Sequence, residues 1–389
     1  MLNVTRTYCG TSQSADPLRY GEGHGAPRSA AERRPIVVWN ITRRCNLACI
    51  HCYSDSAARH YPGELNWEEC RAVVDDLARF SVPAVLLSGG EPLIHPRYFD
   101  LAEYARDRGL RLTLSTNGTL IDRLTALRLQ ATGFAYVGIS LDGIEATHDH
   151  FRGRTGAFDR TVAAFRHCKA AGQKVGLRLT LAPHNVNDLD RILDFIERED
   201  IDRVCFYHLV YSGRGASLNA ADHEATREAI DKIMDRTARW AAGGHPREVL
   251  TVDQPADGAH LYLRMLAEGN PRAEEVFRLL SWNGGGRFSS GVGIGNIDTQ
   301  GNVHPDQFWQ SLTLGNVKQR PFSEIWTDTS QPMLAALRDR LPRLEGRCAR
   351  CRFLPLCGGG FRVRAEQVHG NPWAPDPGCY LTDEEIQAA

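Results

Sequence analysis

Short apolar runs rich in β-branched residues alternate with amphipathic stretches from Pro35 to about residue 243. Each run is typical of a buried strand, and the runs occupy residues 36–39, 84–88, 110–114, 136–140, 175–180 and 204–209. Leu189, Ile192, Leu193 and Ile196 have the spacing of one helix face, and Asn66 is a candidate cap for an earlier helix. Such strand–helix alternation predicts an α/β fold with a parallel sheet covered by helices.

Six strand–helix units are too few for a closed eight-stranded barrel. The pattern therefore predicts a partial (β/α)6 barrel of the TIM type, which stays open on one side. In parallel sheets of this kind the chemistry lies at the C-terminal ends of the strands.

The pattern also divides the chain into segments. Residues 1–34 are rich in Gly, Ser, Arg and Pro and predict a flexible N-terminal arm, followed by the barrel over 35–243. Residues 244–290 show no clean strand pattern and are interpreted as a bridging segment. Residues 291–389 combine short strands with a Cys- and Arg-rich end, which predicts a small module held by metal.

Composition narrows the class of protein. The 389 residues carry 46 Lys and Arg against 47 Asp and Glu, which argues against a nucleic-acid binder with a basic excess. No apolar run is long enough to span a membrane, and no secretory signal is visible, so a cytoplasmic location is expected. In that setting, 11 cysteines favour metal binding or catalysis over disulfides.

Three cysteines follow the first strand directly. Cys45, Cys49 and Cys52 should therefore lie at the C-terminal end of that strand. Three closely spaced thiolates suit an iron–sulfur cluster better than a structural zinc ion, which needs four ligands. On a four-iron cluster they leave one iron open to a substrate or cofactor.

The Cx3Cx2C spacing of these cysteines resembles the signature of the radical S-adenosylmethionine (SAM) enzymes. The resemblance implies the same partial barrel and a SAM molecule that chelates the open iron. One electron, from a donor such as flavodoxin or ferredoxin, would cleave SAM to a 5′-deoxyadenosyl radical that abstracts a hydrogen atom from substrate.

Further SAM-binding positions follow from this resemblance. Gly89-Gly90-Glu91-Pro92 is similar to the family's GGEP motif, and it would place Glu91 at the SAM ammonium. Arg178 inside the fifth strand would meet the SAM carboxylate, although a salt bridge within the barrel is the open alternative. The remaining expected cofactor-binding residues are His51, Tyr53, Ser115, Asn117, Ser140 and Asp142.

A second cysteine group lies near the C-terminus. Cys348, Cys351, Cys357 and Cys379 supply four thiolates, which by spacing alone suit a four-cysteine cluster or a structural zinc. After the radical SAM signature, the group resembles a SPASM extension. That resemblance implies one auxiliary 4Fe-4S cluster, hence two 4Fe-4S clusters in all. Asp306 and Phe361 stand where many SPASM proteins have further cysteines, so ligands for an inner auxiliary cluster are missing.

From about Pro35 to Leu381 the chain resembles the NirJ family of haem d1 biosynthesis. The similarity is carried by Trp39–Cys45, Phe206–Gly215, Asn296–Pro305 and Arg362–Ala365. It implies that a tetrapyrrole, 12,18-didecarboxysirohaem, loses two propionate side chains. A sister family removes acetates from the same compound, and a peptide-modifying SPASM enzyme and a non-enzymatic iron–sulfur protein are the other open classes.

A substrate with several carboxylates needs cationic donors and an apolar floor. Candidate substrate residues at the strand ends are Arg152, Arg154, Tyr207, His208, Tyr211 and Arg214. A hydrogen-bonded core histidine and surface salt bridges are the alternative interpretations of His208 and the arginines.

Overall fold

Most of the described strands lie side by side in the order in which the chain forms them. The computed structural model describes residues 1–12, 16, 20, 33–218 and 222–387. Within them, the strands are β1 (Leu2–Asn3), β2 (Ile36–Thr42), β3 (Val85–Gly89), β4 (Leu112–Thr116), β5 (Tyr136–Ser140), β6 (Val175–Leu181), β7 (Arg203–His208), β8 (Glu248–Val252), β9 (Ile294–Ile297), β10 (Asn302–His304) and β11 (Gly315–Asn316).

These strands form one sheet with the order β1-β8-β7-β6-β5-β4-β3-β2-β9-β10-β11. Strands β2 to β8 run parallel to one another, and β9 is parallel to β2 on the other side. The six strands predicted from sequence are all present as β2 to β7. The α/β prediction is therefore confirmed, and the parallel run continues one strand further, into β8.

Helices connect the parallel strands. The described helices are α1 (Val4–Thr7), α2 (Trp67–Arg79), α3 (Tyr98–Asp107), α4 (Arg123–Thr132), α5 (Ala146–Arg152), α6 (Ala157–Ala170), α7 (Leu189–Arg198), α8 (His223–Ala242), α9 (Ala256–Ala267), α10 (Ala273–Asn283), α11 (Phe322–Thr327), α12 (Pro332–Arg338), α13 (Gly346–Ala349), α14 (Leu354–Cys357), α15 (Arg362–His369) and α16 (Asp383–Ile386). In the described ranges, no helix is both long and apolar enough to cross a membrane.

Two local predictions are confirmed by the helix contacts. Asn66 caps α2 in a capping box, because its side chain accepts a hydrogen bond from the Glu69 amide while Glu69 accepts one from the Asn66 amide. The apolar face of α7 is buried against the sheet through Leu189, Ile192, Leu193 and Ile196.

The start of the chain differs from the expected flexible arm. Leu2 and Asn3 pair antiparallel with β8, and Val4 and Thr5 are buried. The Thr5 hydroxyl donates to the Arg247 carbonyl at 2.5 Å and accepts from the Val249 amide at 3.0 Å. The free edge of β8 supplies these partners, so the prediction was wrong for residues 2–7. Most of residues 13–32 lies outside the described residues.

The segment 244–290 is also more than a bridge. It contributes β8 to the sheet and continues into α9 and α10. The strand has five residues and begins at the charged Glu248, so its apolar pattern is too short to predict a strand. In the structure, Val249 and Leu250 are nevertheless fully buried. At the other side of the sheet, β9, β10 and β11 extend it from β2, so the C-terminal module continues the barrel's sheet.

Candidate active site

A cavity of about 1060 Å³ lies at the C-terminal ends of the parallel strands. Most of the residues expected from sequence line it together: Cys45, Cys49, His51, Cys52, Tyr53, Gly89, Gly90, Ser115, Asn117, Ser140, Asp142, Arg152, Arg178, Tyr207 and His208. The expected residues that do not line it are Glu91, Pro92, Arg154, Tyr211 and Arg214.

The three-cysteine loop after β2 offers hydrogen-bond donors to each sulfur. The amides of Leu47 and Ser56 lie 3.4 Å from the sulfurs of Cys45 and Cys52 respectively, and Arg152 Nη1 lies 3.6 Å from Cys49 Sγ. Burial raises the pKa of the Cys45 thiol to about 12. The Cys45 thiol therefore needs a bound metal's charge to ionise, and the donors around the three sulfurs fit anionic sulfur. The residues present fit an iron–sulfur cluster.

Arg214 holds this loop rather than facing the cavity. Its Nε donates to the Cys49 carbonyl at 2.8 Å, and its Nη1 donates to Asp55 at 2.8 Å and to the Ser56 carbonyl at 3.0 Å. The preceding Gly213 has φ +55, and a Cβ there would stand 2.4 Å from the Cys52 carbonyl oxygen. The expected substrate role of Arg214 is therefore replaced by a loop-holding one.

Arg152 is also paired within the protein. It forms an ion pair with Asp142 Oδ2, while Asp142 Oδ1 accepts from the Thr180 amide at 2.8 Å. His51 Nε2 lies 3.8 Å from the same carboxylate, and burial lowers the pKa of His51 to about 4. At neutral pH His51 is uncharged, so Arg152 is the cation next to Cys49.

Glu91 lies beneath the cavity wall. Its Oε1 accepts from Thr116 Oγ1 at 2.8 Å and its Oε2 from the Asn117 amide at 2.8 Å. Burial raises its pKa to about 7. The side chain is fully buried, so direct contact with a SAM ammonium is not the geometry seen. Glu91 instead positions the end of β4, which does line the cavity.

The glycine pair before Glu91 allows β3 to approach the cysteine loop. The Gly90 amide donates to the Thr42 carbonyl at 2.7 Å, and a Cβ on Gly90 would stand 2.2 Å from the Arg44 carbonyl oxygen. A larger residue would push β3 and the loop apart. Glycine here is required by close backbone approach.

Arg178 faces the cavity without an acidic partner. Its guanidinium lies 4.8 Å from the Tyr207 ring centroid, and in the described part of the chain no ion pair joins it to a carboxylate. The barrel salt bridge that sequence left open is therefore not found there. A buried cation in this position suits a ligand carboxylate.

Beyond β6, sequence reasoning missed Asp253 in the cavity wall, and Asp257 and Tyr380 next to His208. His208 Nε2 lies 2.9 Å from Asp257 Oδ2, and Tyr380 donates to Asp257 Oδ1 at 2.7 Å. Burial acts to raise the pKa of Asp257, but its interactions with His208 and Tyr380 hold it below its usual range. His208 is thus a hydrogen-bonded histidine that also lines the cavity. Asp253 lines the cavity beside it.

The C-terminal cysteines surround a separate cavity of about 410 Å³. Its wall contains Cys348, Cys351, Cys357 and Cys379, and Arg347 donates to the Cys379 carbonyl at 3.4 Å. Burial raises the pKa of Cys379 to about 11 and that of Cys357 well above its usual value. These thiols, too, need a metal to ionise, and they fit an iron–sulfur cluster.

Neither cysteine group is arranged around a single ion. Across the described ranges, no three His, Cys, Asp or Glu side chains come together closely enough to ligate one metal ion. A four-iron cluster binds each thiolate to a different iron, so it does not require the sulfurs to converge on one point.

The positions where further SPASM cysteines would be expected belong to the protein core. Phe361 is 4% exposed and packs edge-on against Phe308, with ring centroids 5.9 Å apart. Asp306 accepts hydrogen bonds from the amides of Phe308 and Trp309 at 2.8 and 3.1 Å. An apolar cluster with Val210 and Trp309 surrounds Phe361.

Comparison with known proteins agrees with this arrangement. Residues 39–196 match the radical SAM superfamily, and residues 293–352 match the SPASM iron–sulfur cluster-binding domain. The chain belongs to the radical SAM superfamily and is a radical SAM enzyme with a SPASM domain.

Similar proteins indicate which branch of the radical SAM superfamily this chain resembles. The chain is 50% identical over 396 residues to Fe-coproporphyrin III synthase of Methanosarcina barkeri, covering 99% of both chains. It is 47% identical over 363 residues to Pre-heme d1 synthase of Dinoroseobacter shibae, covering 92% of this chain and 88% of that protein. The fold matches that of anSMEcpe with bound AdoMet, at a TM-score of 0.69 and 18% identity over 89% of this chain and 93% of that one.

Proposed function

We propose that this enzyme removes propionate side chains from 12,18-didecarboxysirohaem, the step that leads to haem d1. The observation that carries the proposal is the 47% identity to Pre-heme d1 synthase, which extends over 92% of the chain.

Removal of acetates from the same compound is the second candidate. It is favoured by the 50% identity to Fe-coproporphyrin III synthase over 99% of the chain. Both candidates share an iron tetrapyrrole with several carboxylate side chains. They differ only in which side chain reacts.

In this proposal, one half of the cavity binds SAM and the other half binds the tetrapyrrole. Residues at the ends of β3 to β6 hold SAM: Gly90, Ser115, Ser140 and Asp142 line its site, and Arg178 binds its carboxylate. When bound, SAM and the cluster at the first three cysteines supply hydrogen-atom abstraction from carbon. The ends of β7 and β8 face the remaining space, where the tetrapyrrole binds.

Aromatic side chains shield this space from water. Tyr53 donates to Asn40 Oδ1 at 3.2 Å and packs edge-on against Phe308, with ring centroids 5.3 Å apart. Both line the cavity. A dry site limits side reactions of a reactive species.

The C-terminal cysteines hold an auxiliary 4Fe-4S cluster in this proposal. Four thiolate ligands leave no iron open to substrate, so its role is structural or electron-accepting. A flavodoxin or ferredoxin in the cytoplasm supplies the electron for SAM cleavage. The core positions of Asp306 and Phe361 disfavour the peptide-modifying class with a second auxiliary cluster.

Mass analysis of turnover products tests the proposal. Anaerobically reconstituted enzyme is incubated with didecarboxysirohaem, SAM and dithionite. Loss of whole propionate chains supports the haem d1 step, whereas loss of whole acetate chains supports the second candidate. Unchanged tetrapyrrole alongside SAM cleavage would contradict both.

A further inference from the structure

Asp253, at the C-terminal end of β8, combines three unusual features. It directly follows the last residue of β8 and has φ +67, a left-handed conformation that non-glycine residues rarely adopt. Its side chain lines the main cavity and is 8% exposed. Its buried Oδ2 has no hydrogen-bond partner in the structure. An unpartnered buried carboxyl oxygen is uncommon and calls for an explanation.

The C-terminal module holds this conformation in place. Arg364 on α15 donates from Nη2 to the Asp253 carbonyl at 2.7 Å. The same guanidinium binds both oxygens of Asp376 at 2.9 Å, and both side chains are 1% exposed. Backbone strain persists where the surroundings over-determine it, and such positions cluster at ligand sites. Here the Arg364–Asp376 ion pair holds the backbone of Asp253 in its strained conformation.

The place of Asp253 in the sheet separates it from the proposed SAM half. Strand β8 lies beyond β7 and β6 in the strand order, away from β3 and β4. Its neighbours on the cavity wall are Tyr207 and His208 at the end of β7. Asp253 therefore faces the space left for a second ligand.

Burial disfavours the ionised form of this carboxyl and raises its pKa to about 6. The charged and titratable groups that act on it are the α-amino group of Met1, Arg364, Asp306, His208 and Tyr207. Of these, Asp306 reinforces the effect of burial, whereas the α-amino group, Arg364 and His208 oppose it.

We propose that Asp253 binds a carboxylate side chain of the tetrapyrrole by donating a hydrogen bond from its free Oδ2. The inference rests on the proposed function, since it takes a polycarboxylate ligand in this cavity as given. A protonated carboxyl is a donor to a carboxylate, whereas two ionised carboxyls repel.

This role predicts pH-dependent binding of the ligand. Equilibrium dialysis of the anaerobically reconstituted enzyme with 12,18-didecarboxysirohaem, in the absence of SAM and reductant, measures the affinity from pH 5.5 to 8. The dissociation constant of the unaltered enzyme should rise about tenfold per pH unit above pH 6, because ionised Asp253 repels the ligand. In Asp253→Asn the amide donates at every pH, so this rise should vanish. Asparagine also tolerates the positive φ.

Two further variants serve as controls for the effect of Asp253→Asn. Asp253→Gly relieves the strained conformation and removes the carboxyl, so it should also lose the pH dependence. Asp306→Asn alters a second buried aspartate whose pKa burial raises but which does not line the cavity. It should keep the slope of the unaltered enzyme, with the rise beginning at a lower pH because Asp306 no longer helps to raise the pKa of Asp253. Iron content and SAM affinity, measured on each preparation, show that the variants are folded.

The outcomes separate this inference from the proposed function. If the unaltered enzyme does not bind 12,18-didecarboxysirohaem at any pH, the proposed function fails. If it binds and Asp253→Asn keeps the same pH dependence, the role of Asp253 is refuted. If Asp253→Asn weakens SAM binding and leaves tetrapyrrole binding unchanged, Asp253 belongs to the SAM half, which also overturns the inference.

Discussion

The two cysteine groups differ in the secondary structure around them and in the size of the cavity beside them. The first lies in one loop at the end of the sheet and opens into a cavity of about 1060 Å³ lined by polar side chains from the ends of successive strands. The second lies among short helices and turns around a cavity of about 410 Å³. The first arrangement would leave room for ligands beside a cluster, whereas the second would enclose one. Under the proposed function, this difference suits chemistry at the first site and support or electron transfer at the second.

The cations around the two sites differ as well. At the first site Arg152 and Arg214 are paired with Asp142 and Asp55. Near the second site, Arg340 is fully buried, and among the described residues its hydrogen bonds go to the carbonyls of Leu337 and Ser290, at 3.0 and 2.8 Å. Burial, with the like charge of Arg362, lowers the pKa of Arg340 to about 9. Such a cation is costly unless an anion lies nearby, and a four-thiolate cluster is one.

The largest effect should follow removal of the first site. Replacing Cys45, Cys49 and Cys52 by alanine should abolish SAM cleavage and lower the iron content from about eight to about four per chain. Iron analysis and detection of 5′-deoxyadenosine measure both. Cys168→Ala, at a buried cysteine on α6, is the control and should keep both clusters. SAM cleavage by the triple variant would show that the radical site lies elsewhere.

Removing a ligand of the second site should separate two activities. In Cys357→Ala, SAM cleavage should survive, because the three cysteines proposed to support it, Cys45, Cys49 and Cys52, lie near the other end of the chain. Tetrapyrrole conversion should fail, because the cluster no longer takes up an electron. Both are followed in one anaerobic assay by chromatography. If the variant makes the normal product at the normal rate, the second site is purely structural.

A smaller effect is expected from Glu91→Ala. Losing the hydrogen bonds to Thr116 and the Asn117 amide should destabilise the end of β4 by about 1.5–3 kcal/mol, and the shift of this part of the cavity wall should weaken SAM binding. Equilibrium dialysis at constant iron content measures it. Glu91→Gln keeps the shape and an acceptor, so it should lose less. Unchanged SAM affinity in Glu91→Ala would refute the positioning role.

The smallest effect concerns the unpaired cation at the second site. Arg340→Met should lower the reduction potential of the auxiliary cluster by something on the order of tens of millivolts, since a positive charge near it is removed. The triple cysteine variant is a suitable background, because it retains only that cluster. Redox titration followed by electron paramagnetic resonance gives the potential. An unchanged potential would place Arg340 outside the cluster's electrostatic environment.

The sequence predicts what local patterns encode. The strands β2 to β7 are long apolar runs between amphipathic helices, and Asn66 carries its capping partner three residues later at Glu69. The cysteine groups are visible because their spacing is itself the signal. In these places the neighbouring residues alone determine the structure.

Other features depend on distant partners. Strand β8 has five residues and is stabilised by pairing with β7 and β1, which periodicity does not show. Asp253 and Asp257 were missed because they follow that strand. The motif gives the position of Glu91 but not the direction of its side chain, which hydrogen bonds to β4 decide. Arg214 looks like a free cation in sequence because its partners lie more than 150 positions away.

The pairing of β1 with β8 also bears on how the chain assembles. Leu2 meets Thr251, a contact between positions about 250 residues apart, and contacts of such separation form slowly. During synthesis, residues 1–7 leave the ribosome long before their partner strand exists. Until they return, β8 presents an open edge that other chains could pair with. A chain without residues 1–7 should therefore aggregate while it folds, even if its cysteine sites are intact.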